Sequence, residues 1–249
     1  KMLEALFPGR IDLGLGRAPG TDGATAYALR SRLDRREGDD FLERLHELTL
    51  WETRDFPAGH PYHNVVAMPD DSPLPPIWLL GSSDYSAELA AQVGMGFAFA
   101  HHFATHDAIA AMTNYRAHFK PSGWRATPQS ILAVAVVAAD TDAEAEQLAL
   151  SMDLNRLRRD RGQYLPLPSV EEAEAYPYTD AERASIARNR ARLFVGSPAT
   201  VMAKLEPLIA ASQADELMVI TAVYDHAARK KSYSLLAEAF GLAKRVAAS

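Results

Sequence analysis

The chain has 249 residues, 48% of them apolar and 23% charged, the balance of a folded globular protein rather than a disordered or fibrous one. Its 26 Lys and Arg against 32 Asp and Glu give a formal charge of −6, so no basic field exists to attract nucleic acid. There is no cysteine, which excludes disulfides, thiolate metal sites and cysteine nucleophiles, and the longest apolar run, residues 131–139, falls far short of the ~20 residues a bilayer-spanning helix needs.

The chain opens on Lys1-Met2-Leu3-Glu4-Ala5, with neither the apolar core of a secretory signal nor an Arg-rich transit pattern, and a cytoplasmic location is the expectation. Short β-branched or apolar runs then alternate with stretches of 3.6-residue spacing, the pattern of βα units and a parallel sheet. Strands are expected at residues 11–15, 77–80, 97–100, 131–138 and 217–221. Leu42, Leu45, Leu48 and Leu50 give one helix its apolar face, and Ile109, Met112 and Tyr115 another. Further helices are expected at about 86–94, 142–159, 180–193, 198–212 and 231–247. Asp140-Thr141-Asp142 and Ser197-Pro198 read as helix starts, the proline sitting where a missing N–H costs nothing. Residues 56–76, with six prolines, read as an ordered connection. Residues 162–179 mix Pro166, Pro168 and Pro177 with acidic side chains, and at that length they read as a lid or binding loop. The whole is one domain with five strands, where a closed α/β barrel has eight.

In parallel α/β folds ligands sit beyond the carboxyl ends of the strands, so the residues following each strand carry the chemistry. After the first comes Gly14-Leu15-Gly16-Arg17-Ala18-Pro19-Gly20, either a tight turn with a surface arginine or a phosphate clamp; the glycine spacing is not that of a dinucleotide fingerprint. The next strand runs through Gly81-Ser82-Ser83-Asp84-Tyr85-Ser86 directly into a helix. Backbone N–H groups at that helix start, with the hydroxyls of Ser82, Ser83 and Ser86, make either an anion site or a serine cap for the helix itself. The third strand ends in Ala100-His101-His102-Phe103. Adjacent histidines on an extended segment point to opposite sides, so they do not chelate one metal, but one of them could face a pocket. Asp225, after the last strand, reads as a helix cap.

Taken together, these segments resemble the bacterial luciferase-like family of flavin-dependent monooxygenases. The resemblance lies in residues 6–17 (Leu-Phe-Pro-Gly-Arg-Ile-Asp-Leu-Gly-Leu-Gly-Arg), 75–83 (Pro-Pro-Ile-Trp-Leu-Leu-Gly-Ser-Ser), 98–103 (Ala-Phe-Ala-His-His-Phe), 194–198 (Phe-Val-Gly-Ser-Pro) and 215–219 (Asp-Glu-Leu-Met-Val). It implies a (β/α)8 barrel that binds reduced FMN at the carboxyl ends of its strands and uses O2 to oxidise a small organic substrate, with a separate flavin reductase as supplier. By that resemblance Arg17 falls near the flavin phosphate, and Gly81, Ser82, Ser83, Tyr85 and Ser86 lie on the segment that holds the same phosphate. Ala100 and His101 fall in the ring pocket and residues 162–179 in the mobile loop; the catalytic residue is left unassigned, with His101 and His102 as candidates. No metal is implied.

The resemblance also implies that the family's first three barrel strands, and the catalytic histidine position that they carry in luciferase, precede the part matched here. The fold expected of this chain is therefore an incomplete TIM-like barrel of about five parallel βα units, with two open edges that favour a homo-oligomer. Two alternatives stay open at this level: an F420-dependent oxidoreductase on the same fold, and a non-catalytic flavin-binding protein.

Overall fold

The computed structural model describes residues 1–18, 23–30 and 40–242. In chain order the elements are α1 (Met2–Leu6), β1 (Leu13–Gly16), α2 (Gly23–Arg30), α3 (Phe41–Thr53), β2 (Ile77–Gly81), α4 (Asp84–Val93), β3 (Gly96–Ala100), α5 (Ala108–His118), β4 (Ser130–Ala138), α6 (Asp142–Asp160), α7 (Val170–Ala175), α8 (Asp180–Arg190), β5 (Leu193–Gly196), α9 (Pro198–Ser212), β6 (Glu216–Ile220) and α10 (His226–Ala239). All strand pairings are parallel, in the order β1-β2-β3-β4. β4 then serves two further strands, β6 along Ile131–Ala135 and β5 along Ala135–Ala138. β1 to β4 thus lie side by side in chain order, as in a barrel wall, and one connection passes β5 to bring β6 back to β4. Among the described residues β1 pairs only with β2, β6 only with β4 and the short β5 only with β4, so the outer edges of β1 and β6 stay open, as does that of β5.

Strand alternation sorts the side chains. Ile77, Leu79, Phe97, Phe99, Leu132, Val134 and Val136 face the helices and pack with Ala87, Ala90 and Ala91 of α4, Met112 and Tyr115 of α5, and Val201 and Leu205 of α9. Tyr115 is fully buried, yet its hydroxyl reaches the carbonyls of Met95 (2.9 Å) and Gln129 (3.1 Å), which removes the cost of burying it. The opposite face is lined by small residues. At its amino end Trp78, Ala98 and Ile131 form a separate cluster, with the Arg125 guanidinium 4.4 Å over the Trp78 ring. Farther along, Leu80 (46% exposed) and Met218 (54%) lie open, so this face is uncovered where the helix-side core is sealed.

Several sequence expectations are corrected here. β5 is a sixth strand beyond the five expected, at a place where the sequence spacing ends a helix at residue 193 and puts residues 194–196 in no element; at four residues it is too short to show a period, and it forms because the carboxyl half of β4 offers it a ladder. α10 begins five residues early, at His226, because the Asp225 carboxylate accepts the Ala228 N–H (2.7 Å), the expected cap acting at once. Asp142 does not cap its own helix. Thr141 does that, and Asp142 reaches across to the start of α9, accepting from the Ser197 N–H (2.6 Å) and the Thr200 hydroxyl (3.0 Å). Pro19 and Gly20 of the first glycine motif, and residues 243–247 of the last expected helix, lie outside the described residues.

Candidate active site at the carboxyl edge of the sheet

Because the sheet is parallel, the residues after β1, β2 and β3 emerge on one edge. Register sets them in a row: Gly16 lies beside Leu80, Gly81 beside Phe99, and Ala100 beside Ala133. The first two strand ends enclose a cavity of about 110 Å³ lined by Arg17, Gly81, Ser82, Ser83, Tyr85 and Ser86, with Phe41 and Leu89 as apolar wall. The six residues expected to bind phosphate are thus brought into one place.

Local geometry explains how. Gly81 is the last residue of β2, and a Cβ built there would sit 1.8 Å from the Ser86 Oγ, so only glycine lets the first turn of α4 fold back against the strand. Ser83 is the N-cap in extended conformation (φ −146°, ψ 166°), but its side chain makes no capping bond. The first-turn N–H groups of α4 therefore have neither an intrahelical nor a capping partner. The N-terminus of α9 provides a contrast, since Asp142 already occupies it, and the Ser197 N–H holds that carboxyl below the usual range. Ser86 Oγ donates to the Ser83 carbonyl at 2.7 Å, which leaves Ser82 and Ser83 as the hydroxyls able to donate to a ligand. Asp84 is exposed and outside the cavity lining, so its charge does not fill the site. The Arg17 guanidinium lies 4.5 Å over the Tyr85 ring, which steers the cation toward the cavity mouth. A cation, two hydroxyls and a helix N-terminus around one small cavity fit a phosphate monoester.

Ala100, His101 and His102 lie one strand farther on, outside that lining. The His101 ring packs against Phe194 of β5 at 6.0 Å, and Phe194 itself packs on the helix-side core, which points His101 away from the open face. His102 instead borders a small cavity with Ala135, Arg156 and Arg192. Its Nδ1 lies 3.2 Å from the Ala133 carbonyl, which can only accept, so Nδ1 carries the proton and Nε2 the lone pair. Burial lowers both histidines below their ordinary pKa, reinforced by Arg192 at His101 and by Arg156 at His102, and both are neutral at pH 7. Arg156 and Arg192 were not singled out from sequence; neither follows an expected strand, and only the turn after β3 brings them to this edge. Among the described residues no cluster of His, Asp and Glu has metal-site geometry.

The lid expectation for residues 162–179 needs correction. Residues 169–175 form a capped helix, α7, whose Ala173 is fully buried against Leu154 and Leu157 of α6. Arg158 pairs with Glu172 (2.6 Å), and Glu182, held down to about 2 chiefly by the Thr179 backbone N–H, closes a capping box on α8. The stretch from Ser169 to Thr179 is thus anchored wall. The reason is that Ala173, Tyr176 and Tyr178 supply contacts that the proline and glutamate content conceals.

The luciferase-like monooxygenase family matches residues 1–216. A luciferase-like monooxygenase of Escherichia coli (strain K12) is 39% identical over 235 residues, covering 94% of this chain and 68% of that protein. The crystal structure of apo-MsnO8 superposes with a TM-score of 0.82 at 37% identity, covering 98% of this chain and 72% of the other. At 22% identity and a TM-score of 0.54, the fold is also shared by the oxygenating constituent of 3,6-diketocamphane monooxygenase from Pseudomonas putida, solved with FMN; 94% of this chain and 72% of that one are covered. This chain therefore spans about 70% of the length of these relatives.

Proposed function

The chain belongs to the luciferase-like monooxygenase family, and on that premise we propose that it binds reduced FMN and directs its reaction with O2 onto a small organic substrate. The carrying observation is the single cavity that joins Arg17 to the uncapped start of α4. Arg17 offsets the phosphate charge through its fork, Ser82 and Ser83 donate hydroxyl bonds, and the N–H groups of the first turn of α4 point at the same oxygens. Gly81 supports this by leaving room for the turn. The flavin, when bound, supplies the electrons and the oxygen chemistry. The protein's part is to fix the phosphate and to present small residues, Ala100 and Ala133, on the strands next to the site. We assign the supply of reduced cofactor to a separate flavin reductase, as the resemblance to this family implies.

Titration of the purified protein with FMN, anaerobic reduced FMN and F420 tests the reading. Saturable binding of reduced FMN, lost on removal of Arg17, is the expected result. Binding of F420 with none of either flavin would replace oxygen chemistry by hydride transfer. No binding of any of the three would reject a cofactor role for this cavity.

A further inference from the structure

One strand beyond the phosphate cavity, the turn after β3 gathers two arginines that the flavin site does not use. Arg156 of α6 donates through Nη1 to the His102 carbonyl (3.0 Å). Arg192, just ahead of β5, donates through Nη1 to the Ala104 carbonyl (2.8 Å) and through Nη2 to Asn189 Oδ1 (2.8 Å). Neutral carbonyls, not carboxylates, hold both cations. The nearest acid to Arg156 is Asp160, 4.0 Å from its Nε, while Asp153 and Glu146 are already engaged by Arg190 at 2.7 and 3.0 Å. Among the described residues Arg192 makes no ion pair. Burial and the neighbouring Arg192 charge both push the Arg156 guanidinium below its ordinary pKa, as expected where two like charges share a half-buried place. Between them lies a cavity of about 20 Å³, bordered by His102, Ala135, Asn189 and the two arginines, with room for one oxygen-sized group; Asp153 also borders it, its carboxylate taken up by Arg190.

We propose that Arg156, Arg192 and His102 form a subsite for a carboxylate carried by the substrate. Two planar forks match a planar anion, and the cavity admits one of its oxygens while the other stays at the mouth. The two forks satisfy different carbonyls of the turn, but neutral carbonyls do not balance charge, and Arg192, with no ion pair among the described residues, carries a surplus that an anion would balance. The subsite lies on the same carboxyl edge as the phosphate cavity, between the end of β3, one strand spacing from β2, and Ala135 of β4, where a substrate beside the cofactor would sit. Calling the ligand a substrate rests on the monooxygenase reading; the carboxylate site itself does not. Anion binding is coupled to a proton at His102. The charged and titratable groups around that cavity are Arg156, Asp160 and Asp153 from α6, with Asp153 paired to Arg190, Arg192 ahead of β5 and the adjacent His101; a bound carboxylate adds a negative charge with no cation yet committed to it, which lets the ring take a second proton on Nε2.

The test is an NMR pH titration of the His102 ring in flavin-free protein, with propionate as probe and ionic strength matched by chloride. Propionate should raise the His102 pKa by about one unit. Arg156→Gln and Arg192→Gln should each abolish the rise, while Arg192→Lys, which keeps the charge, should retain part of it and shows that the fold tolerates the change. No rise in the unsubstituted protein, or an equal rise in both Gln variants, overturns the subsite. An FMN titration of the same samples separates the two readings: if FMN binds and propionate does nothing, the subsite alone fails, and if propionate acts and FMN does not bind, the cofactor assignment alone fails.

Discussion

Gly81 and Ser86 share one volume: a methyl group on Gly81 would lie 1.8 Å from the Ser86 hydroxyl oxygen and 2.2 Å from its Cβ. That close approach lets a strand run into a helix in two residues, and it places the N–H groups of the turn at the cavity. Gly81→Ala should force Ser86 aside and cost about 1–3 kcal/mol of stability, the usual range for overpacking. Chemical denaturation checks it. In the double variant with Ser86→Gly the space returns, so the two changes should be strongly non-additive.

Arg17 is expected to act on the phosphate and not on the ring system. Arg17→Ala should weaken FMN binding by about 1.5–3 kcal/mol, the worth of a hydrogen bond to a charged group. Riboflavin, which lacks the phosphate, should lose nothing. Fluorescence titration with both ligands reads the difference, and equal losses would remove Arg17 from the phosphate site.

The two histidines after β3 set a pH dependence. Their folded pKa lies below the ordinary 6.5, chiefly through burial. Between that lowered value and 6.5 the unfolded chain binds more protons than the folded one, so stability rises with pH through this window and is flat above it. Thermal melts from pH 7.5 down to 5 should show the decline, and a His101→Gln, His102→Gln double variant should flatten it. At lower pH Glu182 takes over. Its folded pKa of about 2 against 4.5 unfolded means its contribution is complete above pH 4.5 and disappears as pH falls toward 2, so Glu182→Gln should be the less pH-sensitive protein there.

Residues 162–168 and 169–179 should behave differently toward proteases. The first stretch holds the exposed Tyr164 and Leu165, whereas the second carries the buried Ala173 and the Arg158–Glu172 pair. Limited proteolysis should cut near Tyr164 and spare the segment from Ser169 onward. Cleavage within α7 at the same rate would restore the reading of the whole stretch as a lid.

The open edges of β1 and β6, with Leu80 and Met218 uncovered on the face between them, are expected to drive self-association of this 249-residue chain when purified alone. Light scattering at low micromolar concentration should report a dimer or larger. A stable monomer with full flavin affinity would show that the open face needs no cover.

The alternation of apolar runs and helical periods by itself determined the parallel α/β class and five of the six strands, each to within two residues at either end, because Ile77–Gly81, Gly96–Ala100 and Ser130–Ala138 are central strands whose composition is set by burial on both faces. That Arg17, Gly81, Ser82, Ser83 and Ser86 would meet at one edge was also legible, since residues after neighbouring parallel strands emerge together. Tertiary structure alone decided three things. Leu193–Gly196 became a strand because β4 outlasts β3 and leaves a ladder to fill. Residues 169–179 became wall because Ala173 meets α6, a contact no local period announces. Arg156 and Arg192, 36 positions apart in sequence, met at one turn because the carbonyls of His102 and Ala104 had to be satisfied, and a backbone acceptor leaves no mark in the sequence of the residue that will reach it.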